Sequence, residues 1–373
     1  MNLTQIRRAL VPSIAAVALA GSLAACGSNS SDAGSGASSS SDATTPAAVN
    51  NASSLTGGGS TAQGSAQVQW ASDYGQAKSG VTINYNQVGS GTGRSSFEQG
   101  TYTFAGSDSY LSDPTEYAAA KKQCGADPIE VPDYVSPIAV VFNLSGVSSL
   151  NLDGKTIAGI FNGSITTWND KAIADQNPGV NLPSTAIQPV HRSDDSGTTN
   201  NFTDYLAQAS QGAWKSPASQ TWPTTSGLSG DGTSGVVTTL QGTDGSIGYV
   251  DASKAGTFGI VSVKVGSKYV MPTADGAAHD LSVSKLDPAA KSGQLTYKID
   301  RTTTDPADYP LLLVSYLIAC PTYKDAKVGA LVKDYLGYIV SDAGQASGSK
   351  AAGSAPLPAN VAKKAQAIVA TIK

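Results

Sequence analysis

The sequence predicts an α/β protein of two lobes, joined by a hinge of two crossings. Three observations predict it. From Leu55 onward, short β-rich segments alternate with helical patterns, as in Val81-Thr-Ile-Asn-Tyr85, Ile138-Ala-Val-Val-Phe142 and Gly245-Ser-Ile-Gly-Tyr-Val250. Such alternation points to a mainly parallel sheet in each lobe. About 320 residues follow the N-terminal segments, more than a single core normally serves. Finally, Pro137 and the apolar run to Leu144 read as a strand leaving lobe one, and the run Leu311 to Ala319 as a strand returning to it. The expected division is 54–138 plus 300–373 for lobe one and 139–299 for lobe two.

The chain begins with Arg7 and Arg8, an apolar stretch from Ala9 to Ala20, and Leu23-Ala24-Ala25 before Cys26. This order predicts a lipoprotein signal peptide over 1–25. The apolar stretch is too short for a bilayer, which needs about 20 residues, and no later stretch is long enough. Cleavage before Cys26 would expose a thiol for a diacylglycerol thioether, and the new N-terminus for an N-acyl chain such as palmitate. Together these are the two hydrophobic signals that stable anchoring requires. The protein is therefore expected at the extracytoplasmic face of the cell membrane. Residues 26–53 are almost entirely Ser, Gly, Ala, Asn, Thr and Asp, a composition that cannot bury enough apolar surface to order itself and predicts a flexible tether.

At the other end, Ala326 to Ile339 has apolar residues near helical spacing. Pro356-Leu-Pro358 precedes an amphipathic helix expected over Asn360 to Ile372. Both are structural.

Losing Arg7 and Arg8 with the signal takes 24 basic residues to 22, against 28 acidic ones, a net charge of −6. This argues against a nucleic-acid partner. An anion site here must therefore work by local dipoles and one or two placed cations. After Cys26 two cysteines remain, Cys124 and Cys320. In an oxidising compartment they are expected to form a disulfide, with a pair of buried thiols as the alternative.

Three places share one pattern, a β-like run, a turn rich in Gly, Ser and Thr, and then a helical pattern: Thr56-Gly-Gly-Gly-Ser-Thr61, Gly89-Ser-Gly-Thr-Gly93 and Ser193-Asp-Asp-Ser-Gly-Thr-Thr199. Such turns present backbone N–H groups at a helix N-terminus, where the dipole favours an anion. None is followed by the Gly-Lys-Ser or Gly-Lys-Thr of a nucleotide P-loop. The third is the most informative. Arg192 precedes it with a planar, permanently charged donor fork suited to a tetrahedral oxyanion, and Asp194 is placed to hold that fork.

The segments Leu55-Thr-Gly-Gly-Gly-Ser-Thr61, Val88-Gly-Ser-Gly91, Phe104-Ala-Gly-Ser-Asp-Ser-Tyr-Leu-Ser112, His191-Arg-Ser-Asp-Asp-Ser-Gly-Thr198, Gly245-Ser-Ile-Gly-Tyr-Val250 and Ala355-Pro-Leu-Pro358 resemble, in the same order, the PstS-type phosphate-binding proteins of bacterial ABC transporters. The resemblance covers about residues 54–373. It implies a type II periplasmic-binding-protein fold, inorganic phosphate as ligand, ABC permease subunits as partners, and no cofactor. It also implies phosphate contacts from Thr61 and the Ala62 backbone, Ser90, Arg192, Ser196, the Gly197 N–H and Thr198. Asp108 would accept a hydrogen bond from the ligand's own proton; the alternative role for Asp108 is a helix cap ahead of Leu111. Two positions depart from the family's pattern: Ala62 stands where Phe is common, and Asp195 where Gly is common.

Three other readings compete. A secreted phosphatase or other hydrolase would need Ser196 and His191 as nucleophile and base, yet no Gly-x-Ser-x-Gly elbow or metal-ligand cluster accompanies them. With His191 and His279 as the only histidines, a histidine-rich metal site is excluded. A binding protein for another oxyanion, such as sulfate or molybdate, is the second rival, and a surface protein that senses phosphate without feeding a permease is the third.

Overall fold

The structure, a computed structural model, describes residues 53–373. The expected signal peptide, Cys26 and the tether up to residue 52 lie outside them.

The first elements are β1 (Ser54–Gly59), α1 (Gly64–Ala77), β2 (Thr82–Gln87), α2 (Ser90–Glu98), β3 (Phe104–Ser107), α3 (Pro114–Cys124) and the long β4 (Ile129–Asn143). The middle of the chain adds β5 (Ser149–Leu152), α4 (Gly154–Phe161), α5 (Lys171–Ala174), β6 (Gln188–Arg192), α6 (Gly197–Ala209), β7 (Leu228–Gly230), α7 (Gly232–Gln241) and β8 (Ser246–Asp251). It continues through β9 (Gly259–Val265), β10 (Lys268–Val270), α8 (Ala274–Val283) and the short pair β11 (Lys285–Leu286) and β12 (Tyr297–Lys298). The chain closes with β13 (Leu312–Ala319), α9 (Ala326–Ile339), α10 (Asp342–Ala352) and α11 (Ala359–Val369).

One sheet runs through both lobes in the order β2-β1-β3-β13-β4-β8-β6-β7, with β9, β5 and β10 branching from β4. Pairing within β2-β1-β3 and within β8-β6-β7 is parallel, as expected, but β13 and β4 run antiparallel to their neighbours. The two parallel groups are thus joined through antiparallel strands rather than forming separate sheets. β4 makes the join. Ile129 to Pro137 pair with β13, and Ile138 to Asn143 pair with β8. The change of partner falls at Pro137, a residue with no N–H to give to a ladder.

A continuous apolar core lies beneath this sheet. It includes Trp70, Phe104 and Tyr335 on one side and Phe142, Phe161, Trp168 and Phe202 on the other. The disulfide between Cys124 and Cys320 is present, with Cα atoms 5.1 Å apart, and ties the end of α3 to the end of β13. Helix α10 has no counterpart in the sequence reading, because Gly344, Ser347 and Gly348 give it weak helical character. It forms where small residues are needed: a Cβ on Gly348 would lie 2.4 Å from the Trp70 ring, and Trp70 Nε1 donates to Gly344 O at 2.6 Å. No described helix is long and apolar enough to cross a membrane.

Candidate functional site

All three Gly/Ser/Thr turns lie where a strand hands over to a helix, and they face one another. The first leads from β1 into α1. Here Ser60 Oγ accepts from the N–H groups of Ala62 and Gln63 at 3.1 and 3.3 Å, and donates to Asp108 Oδ2 at 2.7 Å. The second opens α2 after Gly89, whose φ of +88° suits glycine. There Ser90 Oγ accepts from the Asp108 N–H at 3.2 Å. The third opens α6, with Ser196 as N-cap accepting from the Thr199 N–H at 3.2 Å. Glycine is required at 197 because the turns meet there: a Cβ would lie 2.7 Å from Ser90 Oγ and 2.8 Å from Asp108 Cβ.

Asp108 is the centre of the cluster. Besides Ser60, its oxygens accept from Ser315 Oγ at 2.8 Å and Thr198 Oγ1 at 3.3 Å, while its backbone carbonyl accepts from Asn201 Nδ2 at 2.6 Å. Burial raises its pKa, and the hydroxyls of Ser60 and Ser315 and the Arg192 guanidinium pull the other way. It does not cap a helix: Asp113 takes that role for α3, accepting from Thr115 and Glu116 N–H.

Across the cleft, Arg192 is buried, and its guanidinium donates through Nε and a terminal nitrogen to the two oxygens of Asp194 at 2.6 and 2.5 Å. Asp194 also accepts from the Gly232 N–H. Burial works to raise the Asp194 carboxyl, but Arg192 outweighs it and holds the group below the usual range. The expected fork and its holder are thus together. Asp195, by contrast, is exposed and turns its carboxylate to Thr221 Oγ1 at 2.6 Å.

Ser90, Asp108, Gly197 and Thr198 meet, with Ser196 opening the same helix, all are buried, and the buried Arg192 is near enough to act on the charge of Asp108. Thr61 stands apart. Its hydroxyl lies 3.0 Å from that of Thr233 on the opposite side of the cleft, beside a cavity of about 550 Å³ that Gly64, Ser65, Gly232 and Lys254 help to line. Ala62 is buried, with its N–H on Ser60. Ser60, Ser315 and Asn201 were not anticipated. Ser315 could have been noticed as the lone polar residue of the apolar run from Leu311 to Ala319, since a buried polar group is the informative exception in a core strand.

His191 is not positioned as a base for Ser196. Its ring stacks on Trp222 at 4.9 Å, and its Nδ1 lies 2.8 Å from Arg192 O. No group of three or more His, Cys, Asp or Glu side chains placed to hold a metal is found among the described residues.

Strand-to-helix turns that meet across a cleft in a sheet continuous through two halves define the two-lobed periplasmic-binding-protein fold, and the description "PBP superfamily domain" matches residues 35–343. Phosphate-binding protein PstS2 of Mycobacterium bovis (strain BCG / Pasteur 1173P2) is 36% identical over 357 residues, 94% of this chain and 95% of that protein. Phosphate-binding protein PstS 3 of Mycobacterium tuberculosis (strain ATCC 25618 / H37Rv) is 39% identical over 308 residues, 82% of each. The chain belongs to the PstS-type family of phosphate-binding proteins. Among solved structures, a high-affinity periplasmic phosphate-binding protein (PfluDING) bound with phosphate is 25% identical. It superposes with a TM-score of 0.65, covering 84% of this chain and 93% of its own.

Proposed function

We propose that this protein captures inorganic phosphate outside the cytoplasm and delivers it to an ABC permease, closing its two lobes about the ligand. The observation that carries this reading is a buried guanidinium, Arg192, held by Asp194 and near enough to act on the charge of a buried carboxyl, Asp108, which itself sits among helix-opening hydroxyls. A phosphate oxyanion needs the first, and its remaining proton needs the second. In this reading Ser90, Asp108, Arg192, Ser196, Gly197 N–H and Thr198 hold the ligand, Asp194 supports Arg192, and Thr61 and the Ala62 N–H join them by exchanging Thr233 and Ser60 for the ligand. Lobe one is 54–138 plus 300–373, lobe two is 139–299, and the protein is tethered to the outer face of the membrane by lipid on Cys26.

Contacts across the cleft support closure as the working motion: Arg94 to Gln220 Oε1, Gly91 N–H to Asp195 O, and Lys254 Nζ to Ser65 Oγ. Equilibrium dialysis with radiolabelled phosphate tests the reading, with saturable binding expected; its absence would refute it. Small-angle scattering should show a smaller radius of gyration on adding phosphate. In the same reading the protein is no enzyme, which the engagement of His191 with Trp222 supports, and incubation with a chromogenic phosphate ester should release nothing.

A further inference from the structure

A second buried carboxyl lies behind Asp108. β4 and β13 slip register between Ser315 and Tyr316, so that Ser315 faces Tyr134 and Tyr316 faces Pro132. Asp133 is the extra residue, a bulge of the kind that re-aims a side chain. It is fully buried; its Oδ1 accepts from the Tyr134 N–H, and its Oδ2 has no partner. The groups that face it are Asp108, Ser315 and the phenols of Tyr85, Tyr134 and Tyr335, while Asp108 also feels Arg192 and Asp251. No cation is bonded to Asp133 among the described residues.

Ser315 is set between the two acids by a chain of hydrogen bonds with a single direction. Tyr335 O–H donates to Gln67 Oε1 at 3.1 Å, and Gln67 Nε2 donates to Gln63 Oε1 at 2.8 Å. Gln63 Nε2 donates to Ser315 Oγ at 2.6 Å, and Ser315 donates to Asp108 Oδ1 at 2.8 Å. Since Gln63 spends its carbonyl on Gln67, its amide N–H must face Ser315, which leaves the serine proton for one of the two acids, and Asp108 Oδ1 is the one within hydrogen-bond geometry. Ser60 is locked in the same sense, because its oxygen already accepts two backbone N–H groups. The hydroxyls of Ser60, Ser315 and Thr198 therefore suit a carboxylate at Asp108, whereas Asp133 draws on nearby backbone N–H groups and on Ser315 at longer range, leaves Oδ2 unbonded, and would be an expensive buried charge.

We propose that Ser315, oriented by Gln63, is a specificity-determining positioning residue: it keeps the single negative charge of a buried carboxyl pair on Asp108, which faces the ligand, and the proton on Asp133, which does not. The inference rests on Asp108 reading the proton of phosphate. A charged Asp108 excludes sulfate. A protonated Asp108 would donate to sulfate and admit it.

The test is competition between phosphate and sulfate across pH. In Ser315→Ala the loss of a donor lets Asp108 take up a proton at higher pH. Sulfate should then compete about tenfold better near pH 5 than with wild type, while phosphate, which both donates and accepts, weakens less. Adding Asp133→Asn to Ser315→Ala removes the rival site for the charge and should restore sulfate exclusion. Gln63→Met, which frees the serine proton, should show the same change to a smaller extent and serves if Ser315→Ala does not fold. Curves for Ser315→Ala or Gln63→Met that superimpose on wild type, or a double variant that rescues nothing, would overturn the proposal. Infrared difference spectra give a direct reading: at neutral pH the difference between wild type and Asp133→Asn should contain the C=O stretch of one un-ionised carboxylic acid, separate from that of Glu130, and a difference spectrum with no such band would also overturn it. Asp108→Asn separates the levels, for if sulfate stays excluded there, the reading of Asp108 itself fails.

Discussion

The two sides of the cleft handle charge in opposite ways. On the side of β6, the acid Asp194 is locked to the guanidinium of Arg192 and held below the usual carboxylate range, so both charges are permanent. On the side of β3 and β4, Asp108, Asp133 and Glu130 are buried without a bonded cation among the described residues, and burial raises all three. There a charge exists only where hydroxyl and N–H donors sustain it. One side offers attraction that does not depend on pH, and the other offers a carboxyl whose state can discriminate between ligands.

Removing the permanent charge should have the largest effect. Arg192→Ala leaves Asp194 and a bound oxyanion underpaired in a buried site, which costs about 2 to 5 kcal/mol, or roughly 30-fold to several thousand-fold in the phosphate dissociation constant. Unchanged affinity in a dialysis titration would remove Arg192 from the site. Asp108→Asn breaks the other side. Wild type should prefer phosphate over sulfate by at least about 1,000-fold, because the carboxylate both accepts the phosphate proton and repels sulfate. The amide should weaken phosphate and relax that exclusion, as read by sulfate competition.

The conditional charges also bear on stability. Glu130 accepts from the Leu111 N–H and from Gln294, and burial pushes its pKa up to about 7. A carboxyl whose folded pKa lies above its unfolded value stabilises the fold while protonated. That contribution is complete below the unfolded pKa and lost as pH rises through about 7. Thermal unfolding followed from pH 5 to 8 should therefore show a decline that Glu130→Gln lessens, by up to about 3 kcal/mol. An equal decline in both proteins would show that Glu130 is ionised throughout. The neighbouring acids of the β6 side sharpen the contrast with the smallest effects. Asp194→Ala should weaken phosphate about tenfold by freeing the Arg192 fork, whereas Asp195→Gly should change it less than about twofold, because Asp195 faces solvent and is screened. A tenfold gain from Asp195→Gly would mean that its charge reaches the ligand.

By itself the sequence determined the three Gly/Ser/Thr turns, the Arg192–Asp194 pair, the helix Ala326–Ile339 and the α/β alternation. These are local matters: a glycine that permits a turn, a hydroxyl at a helix start and residues two apart on one strand end are fixed by neighbours in the chain. Only the tertiary structure decided that Ser60 rather than Thr61 meets Asp108, that Ser315 lies between two acids, and that α10 packs on Trp70. Those outcomes depend on residues 48 to 274 positions apart. They depend equally on a one-residue slip between β4 and β13 that turns Asp133 out of the ladder. A strand's pattern shows which residues alternate, but not where its partner skips one. The protonation of the buried acids follows from that skip, because it is burial and the direction of each hydrogen bond, set by the packing of β13 against α1 and β4, that decide which carboxyl carries the charge.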